Sequence, residues 1–159
     1  MNSPTILRLS SQDLPQFQEV ILLFAQVFER EPFQLPAPAH LQAVLAKPGF
    51  HVFVAVQGHQ VIGGLTAYTL DQYYSPKPLA FIYDVAVATT HQRQGIGKQL
   101  MAALQAFCQA HNYEEAFVPA ETIDAHALEF YRSTQPSSEM QVVHFNYTFS
   151  GSPHQEDHP

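Results

Sequence analysis

The chain has 159 residues, 46% hydrophobic and 13% charged, which indicates one globular domain with a core of ordinary size and excludes a disordered protein. Seven Lys and Arg against fourteen Asp and Glu give a net charge of −7, which argues against binding to nucleic-acid phosphates. The single cysteine, Cys108, excludes an internal disulfide. No basic-then-apolar leader and no apolar run of membrane-spanning length is present, so we expect a soluble, cytoplasmic protein without a membrane partner.

The N-terminal half predicts a strand, two helices and a β-hairpin. Apolar residues recur at helical spacing from Leu14 to Phe28, and Ser11 offers an N-cap for that helix. The hairpin is indicated by the turn sequence Gln57-Gly58-His59-Gln60 between two β-rich runs. The other predicted elements are a strand at Thr5–Leu9, a short helix at Ala39–Ala46, and the hairpin strands Phe50–Val56 and Val61–Leu70.

The C-terminal half alternates strands and helices. The predicted elements are a strand at Leu79–Val87, a helix at about Gly95–His111, a strand at Ala116–Val118, a helix from Asp124 through Tyr131, and a closing strand at Met140–Phe149. This order is typical of a mixed α/β sandwich whose sheet lies between helices. We expect one domain over residues 1–149 and a flexible tail over residues 150–159.

A polar, glycine-bearing turn joins the Leu79–Val87 strand to the following helix. The first N–H groups of a helix have no internal partner, and glycines let the backbone approach phosphate oxygens closely, so this turn is a candidate anion cradle. It is neither a Walker loop nor a dinucleotide-binding fingerprint, because the required glycine and Ser/Thr spacings are absent. An ordinary strand-to-helix turn is the alternative interpretation.

Cysteine and histidine chemistry is not indicated. Cys108 lies on the apolar face of the predicted helix, which favours a small buried hydrophobe over a nucleophile. The nine histidines are scattered without metal-ligand spacing, so we expect no metal.

Two motifs resemble those of the GNAT N-acetyltransferases. Gln92-Arg93-Gln94-Gly95-Ile96-Gly97 matches the Gln/Arg-x-x-Gly-x-Gly/Ala loop that binds the acetyl-CoA pyrophosphate, and Asp124-x-x-Ala127-x-x-x-Tyr131 resembles the Asn-x-x-Ala-x-x-x-Tyr element. One helix and one strand separate them, as in the family. The resemblance implies a single-domain α/β fold, a GNAT-like mixed β-sheet flanked by helices. The stretches Ile82–Val87, His91–Ile96, Val118–Asp124 and Val143–Phe145 most resemble the GNAT-type aminoglycoside 3-N-acetyltransferases.

The resemblance implies an acetyl-CoA site, with acetyl-CoA as cosubstrate. The pyrophosphate is expected on the loop N–H groups, the pantetheine arm on the backbone of Val85–Val87, and one N–H near Val85 or Ala86 beside the developing oxyanion. The implied cofactor-binding residues are Val85, Ala86, Val87, Gln92, Arg93, Gln94, Gly95, Ile96, Gly97, Lys98 and Asp124. Asp124 is an equally good helix cap.

Catalytic and acceptor-binding roles fall on a tyrosine and several carboxylates. Tyr131 is the candidate general acid for the leaving thiolate, with simple helix packing as the alternative. Asp84 lies in an apolar strand, so it either binds or deprotonates an amine, or it pairs with a neighbouring loop. The residues expected to bind the acceptor are Tyr83, Asp84, Glu121 and His144; a core histidine is the other interpretation of His144.

The function indicated is direct transfer of an acetyl group from acetyl-CoA to the 3-N amine of an aminoglycoside, an antibiotic-resistance activity. Other acceptors are a polyamine, a small metabolite amine or a protein amine. A CoA-binding module without turnover is the alternative of another class. The resemblance also suggests a homodimer.

Overall fold

The structure, a computed structural model, describes residues 3–149. Its elements are β1 (Thr5–Arg8), α1 (Leu14–Val27), α2 (Pro38–Leu45), β2 (Phe50–Gln57), β3 (Gln60–Leu70), β4 (Leu79–Val87), α3 (Ile96–Ala110), β5 (Glu115–Phe117) and α4 (Ala125–Ser133). The strands form one sheet in the order β1-β2-β3-β4-β5, antiparallel except for the parallel β4–β5 pair. The chain divides into two compact units, with the boundary after Pro119.

Helices cover both faces of the sheet in the first unit. Gly63 and Gly64 are neighbours on β3, so a Cβ added to each would point to opposite faces. A Cβ at Gly64 would overlap Val20 of α1, whereas one at Gly63 would lie 3.4 Å from Ile96 and Leu100 of α3. The α/β class with helices flanking a mixed sheet is therefore confirmed.

The start of α1 differs from its expected position. Ser11 was expected as the N-cap, but the helix begins at Leu14 with Asp13 at the N-cap position and proline in its first turn. The Asp13 carboxylate turns backward and accepts hydrogen bonds from the Ser10 N–H at 2.7 Å and the Ser10 hydroxyl at 3.0 Å. This closed turn occupies the residues before the helix, so the prediction that Ser11 caps α1 is wrong.

The expected closing strand at Met140–Phe149 is not present. All ten residues are exposed, and none of them takes part in the sheet. A strand exists only where another strand supplies its hydrogen-bond partners, and no strand of residues 3–149 lies alongside residues 140–149. The expected flexible tail over residues 150–159 lies outside the described residues.

The second unit is built on α4. The Asp124 carboxylate accepts a hydrogen bond from the Ala127 N–H at 3.0 Å, which confirms the predicted helix cap. Arg132 forms an exposed ion pair with Glu139 at 2.7 Å. Within residues 120–149 no residue is buried. No helix in residues 3–149 is long and apolar enough to cross a membrane.

A buried histidine crosslinks the sheet on the α3 face. His51 is 5% exposed, and its Nε2 lies 2.7 Å from the Thr69 hydroxyl, which in turn lies 2.7 Å from the Tyr113 hydroxyl. The Arg8 guanidinium lies 3.4 Å from His51 Nδ1, and because arginine only donates, Nδ1 accepts and Nε2 carries the proton. Burial, followed by the charges of Arg8 and His111, lowers the pKa of His51 from 6.5 to about 4.

Acidification is expected to destabilise the fold through His51. The unfolded chain binds this proton near pH 6.5 and the folded chain near pH 4, so the free energy of unfolding should fall as the pH drops between those values, by up to roughly 3 kcal/mol. Urea unfolding across this pH window measures the effect. His51→Asn should flatten the dependence, whereas His59→Asn, in the exposed hairpin turn, should keep it. An equal slope in both variants would contradict this assignment.

Candidate active site

One edge of β4 is only partly paired. β5 is parallel to β4 over three residue pairs, from Leu79–Glu115 to Phe81–Phe117, while β4 continues to Val87. On its other edge β4 is paired with β3 as far as Val87. The backbone groups of β4 that point away from β3 after Phe81 therefore have no strand partner in the described chain. Such an edge can hydrogen-bond an extended, amide-bearing ligand.

A β-bulge reshapes β4 at the same point. Thr66 faces Asp84 while Ala67 faces Ile82, so Tyr83 is the extra residue. A bulge sets two consecutive residues opposite one partner and re-aims their side chains. Burial, followed by the charges of Tyr83 and Asp84, raises the pKa of the Tyr68 phenol, and the Tyr83 ring contacts the Tyr68 ring.

Asp84 is a half-buried carboxyl group without a hydrogen-bonded or ion-paired partner in residues 3–149. Its backbone N–H donates to the Thr66 hydroxyl at 3.2 Å, which holds the bulge. Burial raises the pKa of the carboxyl group, and the positive charge of Arg30 partly opposes this shift. A carboxylate in such a position is suited to binding a cation or accepting a proton.

Aromatic rings line the sheet next to Asp84. The Tyr83 ring is 59% exposed and makes edge contacts with Tyr68 at 5.7 Å and Phe81 at 5.9 Å between ring centroids. Phe81 stacks on Phe117 at 5.1 Å. The carboxyl group thus lies beside an exposed apolar ring, an arrangement that can hold a molecule with both a charged and an apolar face.

The glycine turn closes directly onto β4. The Gln92 side-chain amide donates to the Val87 carbonyl at 3.0 Å. Arg93 and Gly95 both have left-handed backbone angles, with φ of 62° and 81°. Nothing lies within 4 Å of a Cβ added at Gly95, so that position borders open space.

The start of α3 presents backbone donors. The first bond inside the helix runs from the Gln99 N–H to the Gly95 carbonyl at 3.1 Å, so the N–H groups of Ile96, Gly97 and Lys98 have no acceptor within the helix. Lys98 is exposed and adds positive charge, and the first turn carries no acidic residue. This geometry suits an anion.

The remaining candidate residues lie in the second unit. Asp124 caps α4, Tyr131 lies on that helix in contact with the Phe130 ring, and Glu121 precedes the cap. His144 is exposed, so its interpretation as a core histidine is wrong, because no packed layer surrounds it. Its role at an acceptor site stays a prediction.

The first unit thus brings together the candidates on β4, in the glycine turn and at the start of α3. Sequence reasoning missed Thr66, which holds the bulge, Arg30, which acts on Asp84, and Tyr68, which contacts Tyr83. A buried threonine in an apolar strand is a weak signal for Thr66, and nothing in the sequence around Arg30 singles it out. Cys108 is buried, as predicted.

Metal coordination was not expected. Residues 3–149 contain no group of three or more His, Cys, Asp or Glu side chains close enough to hold an ion. The expectation of no metal stays a prediction.

Comparison with known proteins identifies the family. The model of the acetyltransferase (GNAT) family matches residues 14–134. No curated protein matches the sequence. The aminoglycoside acetyltransferase meta-AAC0020, from an uncultured soil metagenomic sample, has been solved in complex with trehalose; it is 52% identical, with a TM-score of 0.91 over 93% of this chain and 97% of that chain.

Two further solved structures of aminoglycoside acetyltransferases are also similar to this chain. The same enzyme in complex with sisomicin is 51% identical, with a TM-score of 0.91 over 93% of this chain and 97% of that chain. The aminoglycoside acetyltransferase HMB0005, also from an uncultured soil metagenomic sample, is 27% identical, with a TM-score of 0.85 over 94% of this chain and all of that chain. The open β4 edge, the glycine turn and the donors of α3 are accordingly parts of an acetyltransferase, and the chain belongs to the GNAT family.

Proposed function

We propose that this acetyltransferase transfers the acetyl group of acetyl-CoA directly to an amine of an aminoglycoside, at the 3-N position. The observation that carries the proposal is the relative, half identical over nearly the whole chain, whose structure holds the aminoglycoside sisomicin. The half-buried carboxyl group of Asp84 beside the exposed Tyr83 ring supports the same acceptor class. An aminoglycoside combines ammonium groups with apolar sugar-ring faces.

Acetyl-CoA is assigned to the glycine turn and the free edge of β4, since GNAT enzymes use this cosubstrate. The donors of Ile96–Lys98 and the charges of Arg93 and Lys98 suit its pyrophosphate. The edge of β4 at Val85–Val87 that points away from β3 has no strand partner in residues 3–149, and it suits the amide-bearing pantetheine arm. The residues assigned to this site are Val85, Ala86, Val87, Gln92, Arg93, Gln94, Gly95, Ile96, Gly97, Lys98 and Asp124.

The acceptor is assigned to Tyr83, Asp84, Glu121 and His144. Asp84 attracts the ammonium group and accepts its proton, and the neutral amine that results attacks the thioester carbonyl. The second proton that the nitrogen then loses balances the one that the departing thiolate gains. Burial of Asp84 favours the neutral, protonated carboxyl, which makes it a better base than an exposed aspartate. Glu121 supplies a second negative charge for a polycation.

The chemical step forms a carbon–nitrogen bond and breaks the carbon–sulfur bond of the thioester. A backbone N–H near Val85 or Ala86 stabilises the negative charge on the carbonyl oxygen. Tyr131 donates a proton to the departing thiolate, whose ordinary pKa of about 8.5 already makes it a fair leaving group.

Direct transfer is favoured over an acetylated cysteine. Cys108 is the only cysteine of the chain, and it is buried on α3. Burial also raises the pKa of its thiol, which suppresses the nucleophilic thiolate. Cys108→Ala should therefore keep full transfer activity.

The proposal is tested by measuring CoA-thiol release with gentamicin, spermidine and a lysine peptide as acceptors. Fast release with gentamicin alone supports it, and mass and NMR analysis of the product locates the acetyl group. A preference for spermidine would assign a polyamine as the acceptor, and a preference for the lysine peptide would assign a protein amine, in place of the aminoglycoside. CoA binding without release on any amine would favour a non-catalytic module.

Gly95→Asp should strongly weaken acetyl-CoA binding, because a carboxylate placed at the turn repels the pyrophosphate. Calorimetric titration measures the affinity. Gly58→Asp is the matched control, since Gly58 also has a positive φ, of 65°, and open space around its Cβ position, but lies in the β2–β3 turn. Gly95→Asn separates charge from backbone strain. Equal affinity of Gly95→Asp and the parent would contradict the assignment.

Tyr131→Phe should lower kcat by roughly 10²–10⁴-fold with little change in acetyl-CoA affinity, because only the proton donor is lost. Single-turnover kinetics measures the chemical step. Tyr73→Phe removes the same hydroxyl from a side chain that is 88% exposed in the β3–β4 loop, and it should leave the rate unchanged. An undiminished single-turnover rate in Tyr131→Phe would assign that residue to packing.

In a plot of kcat/KM against pH, the fall in rate on the acid side should report the ionisation of Asp84; this part of the plot is called the acid limb. Arg30 lowers the pKa of this carboxyl group, so Arg30→Gln should move the limb to higher pH. Lys47→Gln removes an equal charge from an exposed residue that does not act on Asp84, and it should leave the limb in place. Asp84→Asn should abolish the limb and raise the acceptor KM. A limb that Arg30→Gln does not move, or that persists in Asp84→Asn, would exclude Asp84 as the proton acceptor.

A further inference from the structure

The glycine turn between β4 and α3 is not fixed by packing along its length. Residues 92–95 are all exposed, whereas Ile96, which follows them, is only 2% exposed. Arg93 has a φ of 62°, in the left-handed region that a residue with a side chain seldom adopts. Such a conformation persists only where neighbouring contacts fix it. Burial of Ile96 fixes the end of the turn at α3, so the end at β4 must be fixed by other contacts.

His91 supplies such a contact by joining the turn to the end of β2. Its Nε2 lies 3.1 Å from Oε1 of Gln57, which is 34 residues away in the sequence, and its Nδ1 lies 2.8 Å from the Thr90 hydroxyl. A side-chain carbonyl oxygen only accepts, so Nε2 carries a proton, and the neutral ring accepts the hydrogen bond of the Thr90 hydroxyl at Nδ1. Both nitrogens of this rigid, half-buried ring therefore have partners.

The end of the β2–β3 hairpin contacts the turn at a second point. The register of β2 against β3 shifts just before Gln57, which makes Ile62 an extra residue of β3, a β-bulge. The Ile62 carbonyl accepts a hydrogen bond from the Ala88 N–H at 2.8 Å. Because β2 and β3 both lie inside the sheet, these two contacts tie the start of the turn to a rigid part of the fold.

We propose that His91 is a positioning residue for the acetyl-CoA pyrophosphate, and that it acts through the glycine turn, which it ties to Gln57. The inference rests on the proposed function, which assigns this turn to acetyl-CoA. The contact at His91 sets the direction in which the chain enters Arg93, so the N–H groups of the turn are in place before the ligand binds. Donors that are already in place lose less entropy on binding than mobile ones.

Two amide substitutions of His91 separate the roles of its two ring nitrogens. The amide nitrogen of glutamine reaches the position of Nε2, whereas that of asparagine reaches only the position of Nδ1. His91→Asn should weaken acetyl-CoA binding by roughly three- to tenfold in calorimetric titration, because the hydrogen bond to Gln57 is lost. His91→Gln should restore the affinity of the parent. His59→Asn, in the exposed hairpin turn, is the matched control and should leave the affinity unchanged.

A double-mutant cycle tests whether His91 acts through Gln57. Gln57→Ala should weaken acetyl-CoA binding about as much as His91→Asn does, and the combined variant should lose no more than either one alone. Additive losses would overturn the proposal, because the two side chains would then act separately. Parent affinity in His91→Asn would also overturn it. So would a His91→Gln variant as weak as His91→Asn, because packing of the ring would then be the cause.

Hydrogen exchange without acetyl-CoA measures how firmly the turn is fixed. The Ala88 amide, which donates to the Ile62 carbonyl, should be protected in the parent, less protected in His91→Asn and protected again in His91→Gln. Amides of α1 should keep their protection in all three proteins. Unchanged protection of Ala88 in His91→Asn would overturn the proposal, and an equal loss of protection in α1 would assign His91 to the stability of the whole fold instead.

The titrations also distinguish this inference from the proposed function. A parent protein that does not bind acetyl-CoA would contradict both. A parent that binds acetyl-CoA, together with a His91→Asn variant that binds it equally well, would contradict the role of His91 alone.

Discussion

Two adjacent glycines on β3 set the distance between the helices and the sheet, and the geometry of the site depends on that distance. Gly64 admits Val20 of α1, and Gly63 admits Ile96 and Leu100 of α3. Ile96 is the first residue of α3 and is only 2% exposed, so the start of this helix is fixed against the central strand. The N–H donors of its first turn are therefore held rigidly, which an anion site requires because mobile donors lose entropy on binding.

β4 carries the two other features of the site, and both result from irregular pairing. Its short contact with β5 leaves backbone groups available beyond Phe81, and its bulge against β3 sets Tyr83 and Asp84 next to each other. Without the bulge, these two side chains would point to opposite faces of the sheet. With β5 paired along the whole of β4, no edge of β4 would be free. The burial that raises the pKa of Asp84 also makes this carboxyl group costly to fold without a partner, a cost that a cationic acceptor reduces.

Most of the fold could be predicted because the signals were local. Periodicity located α1, α3 and the strands of the hairpin, and the strand at Leu79–Val87 has the predicted bounds. The cap at Asp124 followed from side-chain chemistry. Strand register and long-range charge do not appear in local patterns, so the sequence predicts neither the bulge at Tyr83 nor the effect of Arg30 on Asp84. The strand predicted at Met140–Phe149 failed for a related reason, since alternation indicates a covered face but does not identify the molecule that covers it.

The second unit carries candidate site residues without a packed core. Tyr131, the proposed general acid, and Glu121, the proposed acceptor carboxylate, lie in this unit, and none of residues 120–149 is buried. A segment without a core gains little stability from its own packing, and its helix of nine residues is too short to be stable alone. A ligand that binds only the ordered form of this unit stabilises it by mass action, so substrate binding and the order of the acid-bearing helix are thermodynamically linked.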